Sequence, residues 1–486
     1  MSSEERALGP RPKVGVPTMV AYGIGSISNS VKTRGLTTFL MVFYNQVMGL
    51  PAAWVGIGTA LALIFDALVD PAVGHISDNT RSRLGRRHPF MYAAALPVAI
   101  FFFAIWNPPT GLEPMMLFGY MMVCLLSIRL FDTFFELPAS ALIPELVEDY
   151  DKRTVLISIR VLCMVVGGLL MTVFAYQVAM KEQPDGSGGV LAKDGYFSYG
   201  VAGALVIFTT ILIASVATHR FIPWLRKPQP KQPGGGQHLK DILATLSNRP
   251  FFTIVGSGSL VFLVAGVTAG LSLYVALFYW GLTQAQLTLM ATFGAAAGLI
   301  GAPLAAPISR AIGKKEAAVA GYILGAIAEL TPYVARLAGV MPETGDPRVF
   351  YIVASCNFIT MTCWSMTGVF LTALIADVVE DNAVKIGKRT EGLLFAADSL
   401  FKKIGSAGGP AVAGLILTLA NFPIGAKRGE VDPAILNNLI AFYLPTLIAI
   451  YTVSISLMWA YNIDRNKHLE NLRILAERGD PQDGQS

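Results

Sequence analysis

Two short stretches put charge where the surrounding residues are apolar. LALIFDALVDPAV carries Asp66 and Asp70, and SIRLFDTFFELPAS carries Arg129, Asp132, Thr133 and Glu136. If both stretches are helical, the four-residue spacing sets Asp66 and Asp70 on one face, and the three-residue spacing does the same for Thr133 and Glu136. Carboxylates gathered with a hydroxyl make a hard, oxygen-rich cluster suited to Na⁺, or to a proton held on a carboxyl that its neighbours and burial keep from ionising. Either cation relieves the repulsion between the acids. The competing reading is that Asp70 satisfies backbone groups at a Pro71 kink while Asp66 pairs with an arginine.

The elements that must position these groups are membrane helices. The chain has 486 residues, 53% of them hydrophobic and 14% charged, with a mean hydropathy of +0.55, which points to a membrane protein. Phe251 to Ser309 is a 59-residue run without Asp, Glu, Lys, Arg or His, enough for two crossings at about 20 residues each. Breaks at charge clusters, Pro and Gly predict twelve spans: 16–45, 51–77, 89–107, 115–143, 154–180 and 196–222, then 251–280, 284–311, 317–341, 348–378, 390–420 and 434–464. In this frame Asp66 lies about 22 Å into the second span at 1.5 Å per residue. A central Asp costs about 2.5–3.5 kcal/mol on insertion scales, so the acids demand a function.

Lys and Arg fall unevenly on the connections. The N-terminus, the even-numbered connections and the C-terminus hold 25 of them and the odd-numbered connections six, which predicts that both termini are cytoplasmic. The net charge of +5 follows from this bias and gives no reason to expect nucleic acid as a partner. The N-terminus lacks a cleavable leader pattern, so the first helix is expected to remain as an anchor. Cys124, Cys163, Cys356 and Cys363 fall inside predicted helices and read as buried free thiols. No HExxH, GxSxG or Walker pattern is present, which argues against an enzyme.

The chain divides into a six-helix half (1–222), a Pro- and Gly-rich cytoplasmic linker (223–250), a second six-helix half (251–464) and a cytoplasmic tail (465–486). GHISDNTRSRLGRR after the second span is answered by APISRAIGKK after the eighth, an internal echo of the kind that parallel-repeat transporters contain. Six basic residues lie outside the connections: Lys32, Arg34, Arg129, Arg160, Lys402 and Lys403. Some must neutralise the acids. Arg34 and Lys402 read as structural or snorkelling, whereas Arg160 and Lys403 suit substrate or gate roles. Asp78, Arg81, Arg86 and Arg87 anchor topology. With Asp377, Glu380, Asp381 and Arg389 in ADVVEDNAVKIGKRTEG they could also form ion pairs that close the cytoplasmic side and break on opening.

DALVDPAVGHISDNTRSRLGRRHPF resembles the signature of the glycoside–pentoside–hexuronide cation symporters, the melibiose permease family of the major facilitator superfamily. The likeness extends to ELPASALIPEL, to the acidic and basic pattern from Ala376 to Gly392, and to FKKIGSAGG at 401–409, covering the chain from about Tyr22 to Asn471. The resemblance implies a cation site of Asp66, Asp70, Thr133 and Glu136, with Glu136 standing where family members carry Asp and Asp132 as an additional acid. It implies a substrate-side arginine at Arg160 and a charge-balancing lysine at Lys403. Asn29 and Ser30 occupy the positions of a Lys-Asp pair in galactoside members, and Ser140 that of a stacking Trp, which argues against melibiose-like recognition. Lys32 is one turn from the missing amine.

The expectation is therefore an all-α integral membrane protein of the major facilitator fold, working as a cation-coupled symporter of a sugar or sugar derivative. Cation ligands are Asp66, Asp70, Thr133 and Glu136, with Na⁺ as the possible metal and no other cofactor. Substrate residues are Asn29, Ser30, Asp132, Arg160 and Lys403. A monomer in the cell membrane is expected. The rival cargo is a lipid-like or other organic anion on the same fold, and a channel or polytopic enzyme is the rival class.

Overall fold

The computed structural model describes residues 12–182, 188–225, 249–386, 391–463 and 465–477. The described residues are almost wholly helical, and an isolated bridge between Glu182 and Gly188 is the β-type pairing among them. In chain order the helices are α1 (Val16–Ile24), α2 (Ser26–Arg34), α3 (Ala52–Asn79), α4 (His88–Trp106), α5 (Pro114–Leu146), α6 (Tyr150–Phe174), α7 (Asp194–His219), α8 (Arg249–Tyr274), α9 (Gln284–Ile312), α10 (Lys314–Leu337), α11 (Pro347–Ile386), α12 (Glu391–Leu419), α13 (Pro433–Trp459) and α14 (Arg465–Glu477).

Ten helical stretches among the described residues are long and apolar enough to cross a membrane. The first predicted span is instead a broken run. α1 and α2 give way to π-helical turns at Gly35–Phe39 and Phe43–Val47, and α2 is the polar segment SISNSVKTR. α12 carries Asp398, Lys402 and Lys403 within its apolar sequence.

Local signals set the ends. Pro occupies the first turn of α5 and of α13, where its missing N–H costs nothing. Thr283 and Gln286 form a capping box at the start of α9, satisfying two N–H groups that would otherwise lack acceptors. The echoed glycines of the two halves both take positive φ, 73° at Gly85 and 96° at Gly313, a conformation that costs a residue with a Cβ about 1–2 kcal/mol.

Two compact units divide at Gln232, with residues 423–427 grouped in the first. In the first, α4 packs against α5 and α7, α3 against α5, and α2 against α6 and α7. An aromatic cluster of Phe43, Trp106, Tyr196 and Tyr199 fills one end. In the second, α8 packs on α12 and α13, and α11 on α9 and α10. Gly405 and Gly409 make the α8–α12 approach possible: an added Cβ would lie 2.1 Å from the Ser259 carbonyl oxygen and 2.3 Å from Gly266 Cα respectively. This is the small-xxx-small packing of membrane helices, in which close backbone contact replaces the hydrophobic effect that lipid removes.

Two boundaries differ from the sequence reading. α11 runs about two turns beyond 378, so Glu380 and Asp381 are helical rather than in a connection. The tail contains α14, which packs on α11 through buried Asn471 and Leu475, four residues apart and hence on one face. The linker lies mostly at 226–248, outside the described residues, as does Arg389.

Candidate ion and substrate site

α3 and α5 pack side by side in the first unit, and their facing turns bring three of the predicted cation ligands together. Thr133 Oγ1 lies 3.0 Å from Asp70 Oδ1, 3.5 Å from Asp66 Oδ1 and 3.0 Å from the Arg129 carbonyl oxygen. A hydroxyl has one proton to donate, so one acceptor takes the hydrogen and the other oxygens converge on Oγ1 without it. Thr133 is buried, at 3% exposure. A cavity of about 310 Å³ lies against the site, lined by Asp70, Pro71, Ser77, Asp78, Leu137 and Pro138 among others. It therefore reaches from Asp70 to the end of α3.

Glu136 stands differently from the sequence expectation. Its carboxylate lies 3.6 Å from Arg160 Nη2, so the fourth predicted ligand faces the predicted substrate arginine. The turn explains this: Glu136 is three residues beyond Thr133 and its longer side chain extends toward α6. Arg160 also donates from Nε to Ser26 Oγ at 3.0 Å and lies 5.5 Å from the Tyr22 ring centroid. Tyr22 in turn donates to the Ala139 carbonyl oxygen. Tyr22 and Ser26 were not among the predicted site residues; they flank the Gly25 turn between α1 and α2, and their four-residue spacing was the available signal.

Asp132 pairs with Lys32, whose side chain is 2% exposed, so this acid is held by an amine from α2. Lys32 also interacts electrostatically with Glu136 and Asp66, and Arg129 with Asp66 and Asp70. Four carboxylates (Asp66, Asp70, Asp132, Glu136) thus meet three bases (Lys32, Arg129, Arg160), leaving one negative charge if all are ionised.

Asn29 accepts a hydrogen bond from Thr33 within its own helix at 3.0 Å. Ser30 is buried against α6 at Gly168, where an added Cβ would come 2.5 Å from its Oγ; it faces a helix interface. Lys403 is part-buried on α12 of the second unit. Its neighbour Lys402 pairs with Asp398 one turn away at 2.6 Å.

The expected gate residues have partners inside their own units. Arg86 and Arg87 both reach Glu145 at the end of α5, Arg87 at 2.8 Å, and Asp78 lies 3.7 Å from Arg86 and 4.0 Å from Arg87. Burial lowers the pKa of Arg87 and Glu145 opposes that shift. Arg81 is exposed. In the second unit, Asp377 binds Lys314 at 2.6 Å and lies 3.4 Å from His468. Glu380 lies 3.0 Å from His468, and Asn471 donates to Asp381 at 3.3 Å. Asp377, Glu380 and His468 are the group of His and acids among the described residues close enough to share a metal ion, but the Lys314 ammonium already neutralises part of that charge. Glu145, Lys314 and His468 were missed as gate partners because nothing in their spacing links them to the distant basic and acidic runs.

Membrane-spanning helices with charged side chains gathered inside a bundle define a polytopic membrane protein whose interior handles ions or polar solutes. Residues 21–465 match the family described as MFS/sugar transport protein, and the chain belongs to that family of membrane transporters. It is 26% identical to an uncharacterized symporter of Synechocystis, over 87% of this chain and 88% of the relative. It is 22% identical to a lactose permease of Leuconostoc lactis, over 93% of this chain and 70% of that protein. A solved D-xylose-proton symporter superposes with a TM-score of 0.62 at 15% identity, covering 91% of this chain and 97% of that one, which shows a shared fold.

Proposed function

We propose that the protein is a cation-coupled symporter of a sugar or sugar derivative, with both termini cytoplasmic, and that Asp66, Asp70 and Thr133 hold the coupling ion. The observation that carries this is the convergence of both aspartates on one buried hydroxyl in a cluster one positive charge short of neutrality. One monovalent cation, Na⁺ or a proton, balances the cluster. Glu136 contributes at longer range, through the charge it shares with Arg160.

Substrate is assigned to the Arg160 side. There a guanidinium, a carboxylate, a hydroxyl and the Tyr22 ring offer donors, acceptors and a flat apolar face, the chemistry a sugar ring requires. The family and the lactose permease relative support a sugar; identities near 22% do not carry over which one. Lys403 is proposed to enter the charge balance when substrate is bound. Asp78, Arg81, Arg86, Arg87, Asp377, Glu380, Asp381 and Arg389 are proposed as gate groups whose ion pairs rearrange during alternating access.

Uptake of labelled glycosides, pentosides and hexuronides into proteoliposomes, under separate Na⁺ and H⁺ gradients, tests the reading. Saturable uphill accumulation of one of these classes under one gradient is expected. Accumulation that follows neither gradient would overturn coupling, and no uptake of any class would overturn the substrate assignment.

A further inference from the structure

A second carboxylate inside the membrane has no role in the coupling site. Glu329 lies about 22 Å along α10 from Lys314 at 1.5 Å per residue, within an apolar helix. Its Oε1 accepts from Thr268 Oγ1 at 2.9 Å and its Oε2 from the Tyr451 hydroxyl. Among the described residues no Lys, Arg or His pairs with it. A carboxylate at that depth without a counter-ion is costly, and two hydroxyl donors use only about half of its roughly four acceptor positions.

The group opens onto a cavity of about 110 Å³ contained in the second unit, lined by Glu329, Thr268, Trp280, Tyr333, Tyr443 and Asn357 among others. The three aromatic rings are contiguous: the Trp280 and Tyr333 centroids lie 5.3 Å apart and those of Tyr333 and Tyr443 5.6 Å. Tyr443 donates to Thr268 Oγ1 at 3.3 Å, which ties the ring wall to the same hydroxyl that holds Glu329. At about 10–15 Å³ per water, the space holds several waters and greatly exceeds one bare alkali ion. A carboxylate with free acceptor positions in a cavity also lined by Trp and Tyr rings is the chemistry that recognises an organic ammonium, through charge and cation–π attraction together.

We propose that the Glu329 cavity is a binding site for a small organic ammonium ion, distinct from the Asp66–Asp70 site and independent of which sugar is carried. The carboxylate supplies the counter-charge, Asn357 a further polar contact, and the rings the selectivity over Na⁺.

Equilibrium binding of labelled methylammonium to the purified full-length protein, by scintillation proximity at constant ionic strength, tests it. Saturable binding near one per chain is expected, displaced by tetramethylammonium at lower concentration than by NaCl. Glu329→Gln, which keeps the side-chain shape, is expected to weaken binding at least tenfold, and Tyr333→Leu, which keeps the carboxylate and removes a ring, several-fold. Elution of each variant as wild type on size exclusion establishes folding, and Tyr333→Leu provides the test if Glu329→Gln does not fold. Any of these results would overturn the proposal: no saturable binding; displacement by Na⁺ as readily as by tetramethylammonium; binding unchanged in both variants; or binding lost in Asp70→Asn and kept in Glu329→Gln, which assigns the ammonium to the other site. A folded Glu329→Gln that changes only the pH dependence of transport, with methylammonium binding intact, would mark Glu329 as a proton carrier and refute the ammonium assignment.

Discussion

Replacing Asp70 with asparagine keeps the shape of the side chain, and the amide oxygen can still accept from Thr133 Oγ1, which lies 3.0 Å from Asp70 Oδ1. What changes is charge: the cluster goes from four acids against three bases to three against three, and it no longer needs a cation. Thr133 Oγ1 is 3.0 Å from one carboxylate and 3.5 Å from the other, so an ion seated among them has each carboxylate within about 4 Å. At an effective dielectric of about 20, a unit charge at that distance contributes about 4 kcal/mol. With about 1.4 kcal/mol per decade, Asp70→Asn should weaken cation affinity about 10³-fold. Coupling requires the ion to be bound, so at cation concentrations that no longer fill the site the enhancement of substrate binding is lost, and substrate in turn no longer raises cation affinity. The assay is cation-dependent sugar uptake into proteoliposomes, with efflux down the sugar's own gradient as a control for a folded, moving transporter. Efflux is expected to persist while uphill accumulation falls to equilibrium. Uphill accumulation with an unchanged half-saturating cation concentration would refute the electrostatic argument.

Three further outcomes follow from other contacts. Lys32→Met strips Asp132 of its buried partner and should cost about 3–5 kcal/mol, read as a lowered midpoint in thermal unfolding; adding Asp132→Leu should recover most of the loss, and no recovery would mean the pair is not the cause. Thr133→Val removes the hydroxyl the aspartates share and should weaken cation affinity about tenfold, for a charge-assisted hydrogen bond of about 1.5 kcal/mol, with a similar loss for each sugar tested. Gly409→Leu places side-chain atoms where Gly266 Cα now sits, so its cost should exceed the usual 1–3 kcal/mol of overpacking; expression and monodispersity near wild type would show that α8 and α12 can separate.

The sequence carried the helical architecture far because lipid imposes a strong rule: every backbone polar group must be satisfied within the segment, so long apolar runs become helices. Detail was lost where charge entered. The first span, read at 16–45, is helical apart from a turn at Gly25, but as α1, α2 and π turns rather than one α-helix. The aspartate pair was legible because four-residue spacing fixes a helical face without knowledge of any neighbour. For Glu136 spacing gave only the face: whether a flexible side chain turns toward Asp66 or toward Arg160 depends on α6, which spacing does not position. Asp132 and Lys32 meet across α2 and α5, a pairing between segments a hundred residues apart that no local pattern encodes.

The two echoed segments acquire a physical meaning when their contacts are compared half by half. In the first unit a glycine at φ 73° is followed by Arg86 and Arg87, which reach Glu145 near the end of α5. In the second a glycine at φ 96° is followed by Lys314, which binds Asp377 near the end of α11, and by Lys315, which donates to the Tyr461 carbonyl oxygen. Each half therefore ties the segment after one helix to an acid on the helix two further on, through both arginines in the first half and through Lys314 alone in the second. That bond holds a half together as a rigid piece. A gate built on the same residues need not break it: Arg87 keeps Nε and Nη1 buried without an acceptor, so it can take a second carboxylate while retaining Glu145. Glu145→Gln should then loosen the first half and the gate at once, lowering thermal stability and uptake together. Asp78→Asn, at a side chain 59% exposed and no closer than 3.7 Å to either arginine, should change uptake with little effect on stability. If both substitutions lowered stability equally, the distinction between a holding bond and a gating one would fail.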